Sequence, residues 1–263
     1  MVAVAESKRL HVESFLDLIE GRTIDFSSDG YIRNRLDIIE QGAFLEQDAV
    51  TNLSAHLKDN KMPLDPDIAA ITILNKAGMV VASTIKSAIG KDFSDCEEYL
   101  QITGNDLTVF THHPHFSVYH GINSLEVVAP ITSMINGETT GMIINAYSEE
   151  LINKITSNRK GMGNSGEIVI GLKDGDDIQF INSLKYSPDT ATTVRIPLHK
   201  VAAEPMRLAL EGNYGTIIGP DYRDIDVIAA YQHIPSMGWG LVAKMDKSEA
   251  FEPLKLLSIL ALT

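Results

Sequence analysis

Two stretches of this chain, about 100 positions apart, are built to one plan, and that repeat limits what the chain can fold into. VVAPITSMINGETTGMIINAYSEEL occupies 127–151 and VIAAYQHIPSMGWGLVAKMDKSEAF occupies 227–251. Val127 matches Val227, Ala129 matches Ala229, Gly141 matches Gly240 and Glu150 matches Glu249. Each stretch reads as strand, turn, strand and the start of a helix. In the second, Asp226 to His233 and Trp239 to Met245 are the strands. The turn is Pro235 to Gly238, where proline fixes φ and glycine is free to take positive φ. Asp246 is placed to cap the helix opened by Lys247, with Glu249 as the second half of a capping box. A simpler hairpin precedes each copy: Ile68–Leu74 with Met79–Ser83, and Glu167–Leu172 with Ile178–Asn182. The unit is too long for a solenoid repeat. The expected fold class is therefore α+β: two modules, each an antiparallel sheet with helices on one face or end.

Before the first module, apolar residues Leu10, Val12, Phe15, Leu16 and Ile19 recur at helical spacing, so a helix is expected from Val4 to about Ile24. Two shorter helices follow, Tyr31–Gln41 with Ser27 or Ser28 as its cap, and Ala43–Lys58. Within the first module a short helix is expected around Cys96–Ile102, a strand over Leu107–Thr111, and a His-rich loop or strand end from His112 to Gly121. A helix over Ser148–Ile155 closes it. In the second module, Lys200–Leu210 reads as a helix and Gly215–Ile218 as a strand.

A formal net charge of −13 and a pI near 5.0 exclude nucleic acid as a partner, because phosphate binding needs clustered lysine and arginine. The single cysteine, Cys96, rules out an intrachain disulfide. No run of about 18 apolar residues is present to span a bilayer. The apolar run Leu254–Thr263 reads as the truncated start of a transmembrane helix, or else as a helix packed on the core.

His112, His113, His115 and His120 fall within nine positions. On a regular strand His112 and His113 point to opposite faces, Pro114 interrupts the strand, and no acidic or thiol ligand lies within the run. No metal site and no cofactor are expected. No Gly-x-Ser-x-Gly elbow appears, and Gly161–Gly166 enters a strand rather than opening a helix, which is the wrong context for a phosphate loop. No catalytic residue is expected. Small-ligand pockets combine aromatic walls with a few convergent polar groups. Tyr99, Phe110, His112, His115, Phe116 and Tyr119 supply the first kind, and Thr111, Glu126 and Asn145 the second. Tyr99, Phe110, His112, His115, Tyr119, Glu126 and Asn145 are the expected ligand-binding set.

Asp221–Tyr231 with Gly238–Phe251 resembles the closing hairpin of double Cache sensor domains, and Asn75–Thr84 with Ile89–Asp92 resembles the opening of their first module. The resemblance covers nearly the whole chain. It implies stalk or dimerisation helices over 1–62, a membrane-distal PAS-like module over 63–160 and a membrane-proximal one over 161–253, with 254–263 entering the membrane. It also implies the extracytoplasmic part of a membrane-bound sensor histidine kinase, homodimeric at full length, that binds a small molecule in the distal module. A chemoreceptor, or a ligand-free module for a periplasmic partner protein, is the alternative. Relatives that bind amino acids carry Arg, Trp and Tyr in the helix and Asp at the end of the last strand. Here Tyr99 matches the Tyr, but Cys96, Glu98 and Ala146 stand at the other positions. On this pattern a zwitterionic amino acid is disfavoured.

Overall fold

The computed structural model describes the chain except residues 44–46, 106, 188–193 and 253–263. The expected entry of 254–263 into a membrane lies outside the described residues. In chain order the elements are α1 (Val2–Ser27), α2 (Gly30–Ile38), α3 (Gln47–His56), β1 (Ile68–Asn75), β2 (Val80–Ser83), α4 (Glu97–Asn105), β3 (Phe110–Ser117), β4 (Ile122–Thr132), β5 (Thr139–Ser148) and α5 (Glu150–Ser157). There follow β6 (Glu167–Asp174), β7 (Asp177–Phe180), β8 (Arg195–Pro197), α6 (Glu204–Leu210), β9 (Gly215–Pro220), β10 (Asp226–Ile234), β11 (Trp239–Asp246) and α7 (Lys247–Ala250). Two compact units divide the chain, one from Leu16 to Glu149 and one made of Met1–Phe15 with the residues from Glu150 onward. The α+β class and the two antiparallel sheets agree with the sequence reading.

In the first unit the sheet order is β2-β1-β5-β4-β3, and both faces are covered. Leu74, Val80, Phe93, Cys96, Ile102, Val128, Met142 and Ile144 form the core between one face and α4. On the other face Asn145 Nδ2 donates to Thr23 Oγ1 of α1 at 2.9 Å, and Thr111 Oγ1 donates to Glu20 Oε1 at 2.6 Å. Burial on both sides explains why β4 and β5 read as near-continuous apolar runs rather than as alternating strands. Helix α1 buries Val12, Leu16, Ile19, Thr23 and Phe26, a spacing of three and four, while Leu10, part of the expected stripe, is exposed. The cap of α2 is Asp29 rather than Ser27 or Ser28: its Oδ1 accepts from the amides of Tyr31 and Ile32 at 2.9 and 3.0 Å. Ser27 and Ser28 instead hydrogen-bond back to carbonyls of α1, because that helix runs on to Ser27.

Gly141 shows what the repeat enforces. A Cβ there would lie 2.2 Å from the Leu74 carbonyl oxygen and 2.8 Å from Leu36 Cδ2. Its counterpart Gly240 would meet Met206 Sδ at 2.6 Å. At Gly141 the obstacle is sheet backbone, which cannot rotate away. Gly141→Ala should therefore lose about 1–3 kcal/mol in a urea titration, and a variant indistinguishable from wild type would show that the strand relaxes freely.

In the second unit the order is β8-β7-β6-β11-β10-β9. The repeat is visible in the pairing: β1, β2, β4 and β5 correspond to β6, β7, β10 and β11. Among the described residues the edge strand β8 has no counterpart in the first sheet. Val169, Ile178, Phe180, Met206, Val227, Ala229 and Val242 make up the core against α6.

The capping box expected at α7 does not form. Asp246 makes no side-chain cap bond, because its Oδ1 accepts from Arg223 at 2.5 Å. Glu249 instead accepts from the amides of Asn164 and Ser165 at 2.6 and 2.7 Å, and from the Ser165 hydroxyl. Those hydrogen bonds hold its carboxyl below the usual range. Glu249→Ala should speed hydrogen exchange at the Asn164 and Ser165 amides without disturbing the β10–β11 amides. Unchanged exchange at the two loop amides would mean the contact does not hold the loop.

Candidate functional site

The α4-facing side of the first sheet carries an unusual density of buried polar groups. Register explains how they meet. Phe110 pairs with Val128 and His112 with Glu126, and a bulge then shifts the pairing so that His115 lies opposite Ser124. Without the bulge, residues three apart would point to opposite faces. With it, His112 and His115 share a face, and their rings stack at 3.9 Å between centroids. Strand β3 also runs through the stretch where only a loop or strand end was expected after His112.

Helix α4 brings Glu98 over this pair. Its Oε1 lies 2.5 Å from His112 Nδ1 and 3.9 Å from His115 Nε2. Glu98 is 3 % exposed. Burial alone would raise its carboxyl, but the hydrogen bond and charge of His112 outweigh burial and hold it well below the usual range. Burial opposes protonation of His112 in the same way, and the bond to Glu98 with the nearby Glu97 carboxylate lifts it above the ordinary histidine value. Burial, reinforced by the Glu98 charge, pushes the Cys96 thiol up, which favours the neutral thiol.

A second chain of polar contacts adjoins the first. His120 Nδ1 lies 2.7 Å from Glu126 Oε1, and its Nε2 lies 2.9 Å from Thr72 Oγ1, which meets Ser83 Oγ at 2.9 Å. Ser124 Oγ donates to the same Glu126 oxygen at 3.0 Å. Tyr119 packs on Phe93 at 4.1 Å between ring centroids and donates its hydroxyl to Asp95 at 2.5 Å.

Of the expected ligand-binding set, His112, His115 and Glu126 converge on this face, with Phe110 beside His112 and Tyr119 at the rim. Tyr99 leans the other way and donates its hydroxyl to the Lys76 carbonyl at 3.0 Å. Asn145 and Thr111 lie on the opposite face, against α1. Phe116 is exposed. Sequence reasoning passed over Glu98, His120, Thr72 and Ser83 as site residues. Glu98 did carry a signal: it shares a helix face with Ile102 at i+4, so a carboxylate interrupts the buried stripe.

A Cache domain family model matches residues 3–254. Among solved structures, the sensor domain of the V. cholerae histidine kinase DctB is similar at a TM-score of 0.62 and 13 % identity, over 93 % of this chain and 95 % of that one. The ligand-binding domain of the Campylobacter jejuni chemoreceptor Tlp3, solved with 4-methylisoleucine, gives 0.65 at 11 % identity over 96 % and 91 %. That of the Pseudomonas aeruginosa amino acid chemoreceptor PctB, solved with L-Gln, gives 0.62 at 14 % over 99 % and 95 %. No curated protein sequence matches this chain. No helix of the described residues is long and apolar enough to cross a membrane.

These neighbours correct one expectation. Disfavouring amino acids rested on unmatched positions in a short motif, yet proteins of this fold are solved with 4-methylisoleucine and L-Gln bound. The departures at Cys96, Glu98 and Ala146 do not exclude that ligand class, because a polar ligand can be held by groups elsewhere on the same face.

Proposed function

This chain belongs to the Cache domain family, and on that premise we propose that it is the ligand-sensing, extracytoplasmic part of a membrane-bound sensor histidine kinase. The ligand is a small polar molecule bound in the first module between α4, β3 and β4. The observation that supports this reading is the buried network of Glu98, His112, His120, Glu126, Thr72 and Ser83 on one sheet face. Burying so many polar groups costs stability unless each is paired, and a paired network of this kind fixes the geometry of the face it lines. Ligand binding biases one conformation of the module by no more than its differential affinity for the two states. A chemoreceptor is the second reading, favoured by the likeness to Tlp3 and PctB.

A thermal-shift screen of amino acids and small carboxylates on the purified chain tests the sensing role. At least one compound should raise the melting temperature in proportion to the logarithm of its concentration. Tyr119→Phe, at the rim of the network, should weaken that shift, whereas Tyr214→Phe, exposed in the second module, should leave it intact. A shift abolished by the second substitution and not the first would move the site out of the first module. Ligand-dependent autophosphorylation of the full-length protein separates a kinase from a chemoreceptor.

A further inference from the structure

We infer that Glu98, His112 and His115 form a binding site for one divalent transition-metal ion, with zinc the best match to the donors. One carboxylate oxygen and one ring nitrogen from each histidine lie within 4.8 Å of one another. Glu98 and His112 are buried, and His115 is half-buried, so the set is reached from the His115 side. The donors stand on a helix and a strand of the same core, not on a loop.

Each imidazole turns one ring nitrogen toward Glu98 and has an oxygen acceptor near the other. His115 Nδ1 lies 3.0 Å from the His113 carbonyl oxygen, a contact only a protonated nitrogen satisfies. Its other ring nitrogen, Nε2, lies 3.9 Å from Glu98 Oε1 and is the atom that offers a lone pair to a metal when the ring is neutral. His112 has its Nε2 3.2 Å from Glu97 Oε2 and its Nδ1 2.5 Å from Glu98 Oε1, where a metal would displace the proton that Nδ1 now shares with Glu98. A carbonyl behind one ligating imidazole and a carboxylate behind the other is the outer shell that fixes ring orientation and raises basicity in metal sites.

The spacing is within reach of the required geometry. Nitrogen and oxygen donors stand about 2.0–2.2 Å from zinc, which sets tetrahedral donors roughly 3.3–3.5 Å apart. The 2.5 Å and 3.9 Å contacts lie on either side of that value, and all three donors fall within 4.8 Å of one another, so side-chain rotations rather than backbone movement would close the set. Two imidazoles and one carboxylate suit zinc, nickel or copper better than magnesium or calcium. Three protein donors leave a fourth position open to water or to a ligand oxygen. The objection raised by sequence, that no acidic ligand lies in the histidine run and that the run alternates faces, is removed by Glu98 and by the bulge.

The inference does not depend on the sensing role, because metal binding is read directly on the domain. The purified chain is stripped with chelator and titrated calorimetrically with zinc chloride, with magnesium chloride as the comparison. One zinc per chain should bind, magnesium should not, and the melting temperature should rise with zinc concentration. His115→Ala, at a half-exposed position chosen to preserve folding, should weaken zinc binding by at least about tenfold. Glu98→Gln, checked for folding by circular dichroism, should do the same, and His199→Ala, at an exposed histidine of the second module, should not. Absence of stoichiometric zinc binding by wild type overturns the proposal, as does wild-type affinity in His115→Ala. Zinc binding with no hit in the organic-ligand screen would keep the metal site and remove the sensing reading.

Discussion

Lys244→Ala should destabilise the chain by about 3–5 kcal/mol, the cost of removing one partner from a buried charge cluster. Lys244 is 3 % exposed; its Nζ lies 2.5 Å from Asp221 Oδ2 and 3.0 Å from Glu167 Oε2, and 3.8 Å from the centre of the Tyr222 ring. Arg223 closes the outer side, 2.7 Å from Asp221 Oδ2 and 2.5 Å from Asp246 Oδ1. Burial pulls Lys244 below the ordinary lysine range even though both carboxylates pull it up. Without the ammonium, Glu167 and Asp221 are left in the interior with Arg223 reaching only Asp221. Such a change costs far more than the loss of a surface pair, for which water would substitute.

The same cluster sets a pH dependence. Burial would raise Asp221, but the Lys244 charge and hydrogen bond, with those from Arg223, hold it below the ordinary aspartate value. A depressed carboxylate contributes its stability in full above the unfolded value of about 3.9 and loses it as pH falls through the lower folded value. Wild type therefore loses this contribution on acidification. The variant has much less of it to lose, so the gap between them narrows from neutral pH to about pH 3. Urea titrations followed by the single tryptophan, which lies in the same module, measure both quantities. A cost under about 1 kcal/mol at neutral pH, or a gap that widens in acid, would rule this account out.

Trp239→Ala should cost a comparable amount, about 3–5 kcal/mol, through a different mechanism. Trp239 is 1 % exposed and sits opposite the fully buried Ile234 at the mouth of the β10–β11 hairpin. It follows the Pro235–Gly238 turn, where Gly238 takes φ +63°, as the turn residues led one to expect. Its neighbour Gly240 faces α6, so the indole packs on the other side of the sheet. Truncation leaves a cavity there that a rigid antiparallel ladder, hydrogen-bonded on both edges of β11, closes poorly. Trp239→Phe should recover part of the loss because it refills most of the volume. Equal stability of the two variants by circular dichroism would mean that packing volume is not the cause.

The two closing hairpins were legible because each is written in a few neighbouring residues. Period-two and helical spacing and turn chemistry are local, and the second copy corroborates the first. Strand β8, only Arg195–Pro197, carried no comparable pattern, since three residues at a sheet edge are too few to alternate. At α7 the sequence presented a capping box that did not form, because Arg223 and the loop at Asn164–Ser165 compete for the same two carboxylates.

The candidate site divides in the same way. Sequence alone determined that aromatics, histidines and a carboxylate crowd the first module, and that the fold is two sheet-and-helix units of one plan. Tertiary structure decided which of those residues meet. A one-residue bulge placed His115 with His112, strand parity sent Asn145 to the face of α1, and the packing of α4 set Glu98 above both histidines. Side-chain direction along a strand follows from residue count until one residue slips, and contact between a helix and a strand is fixed only when both bury the same core.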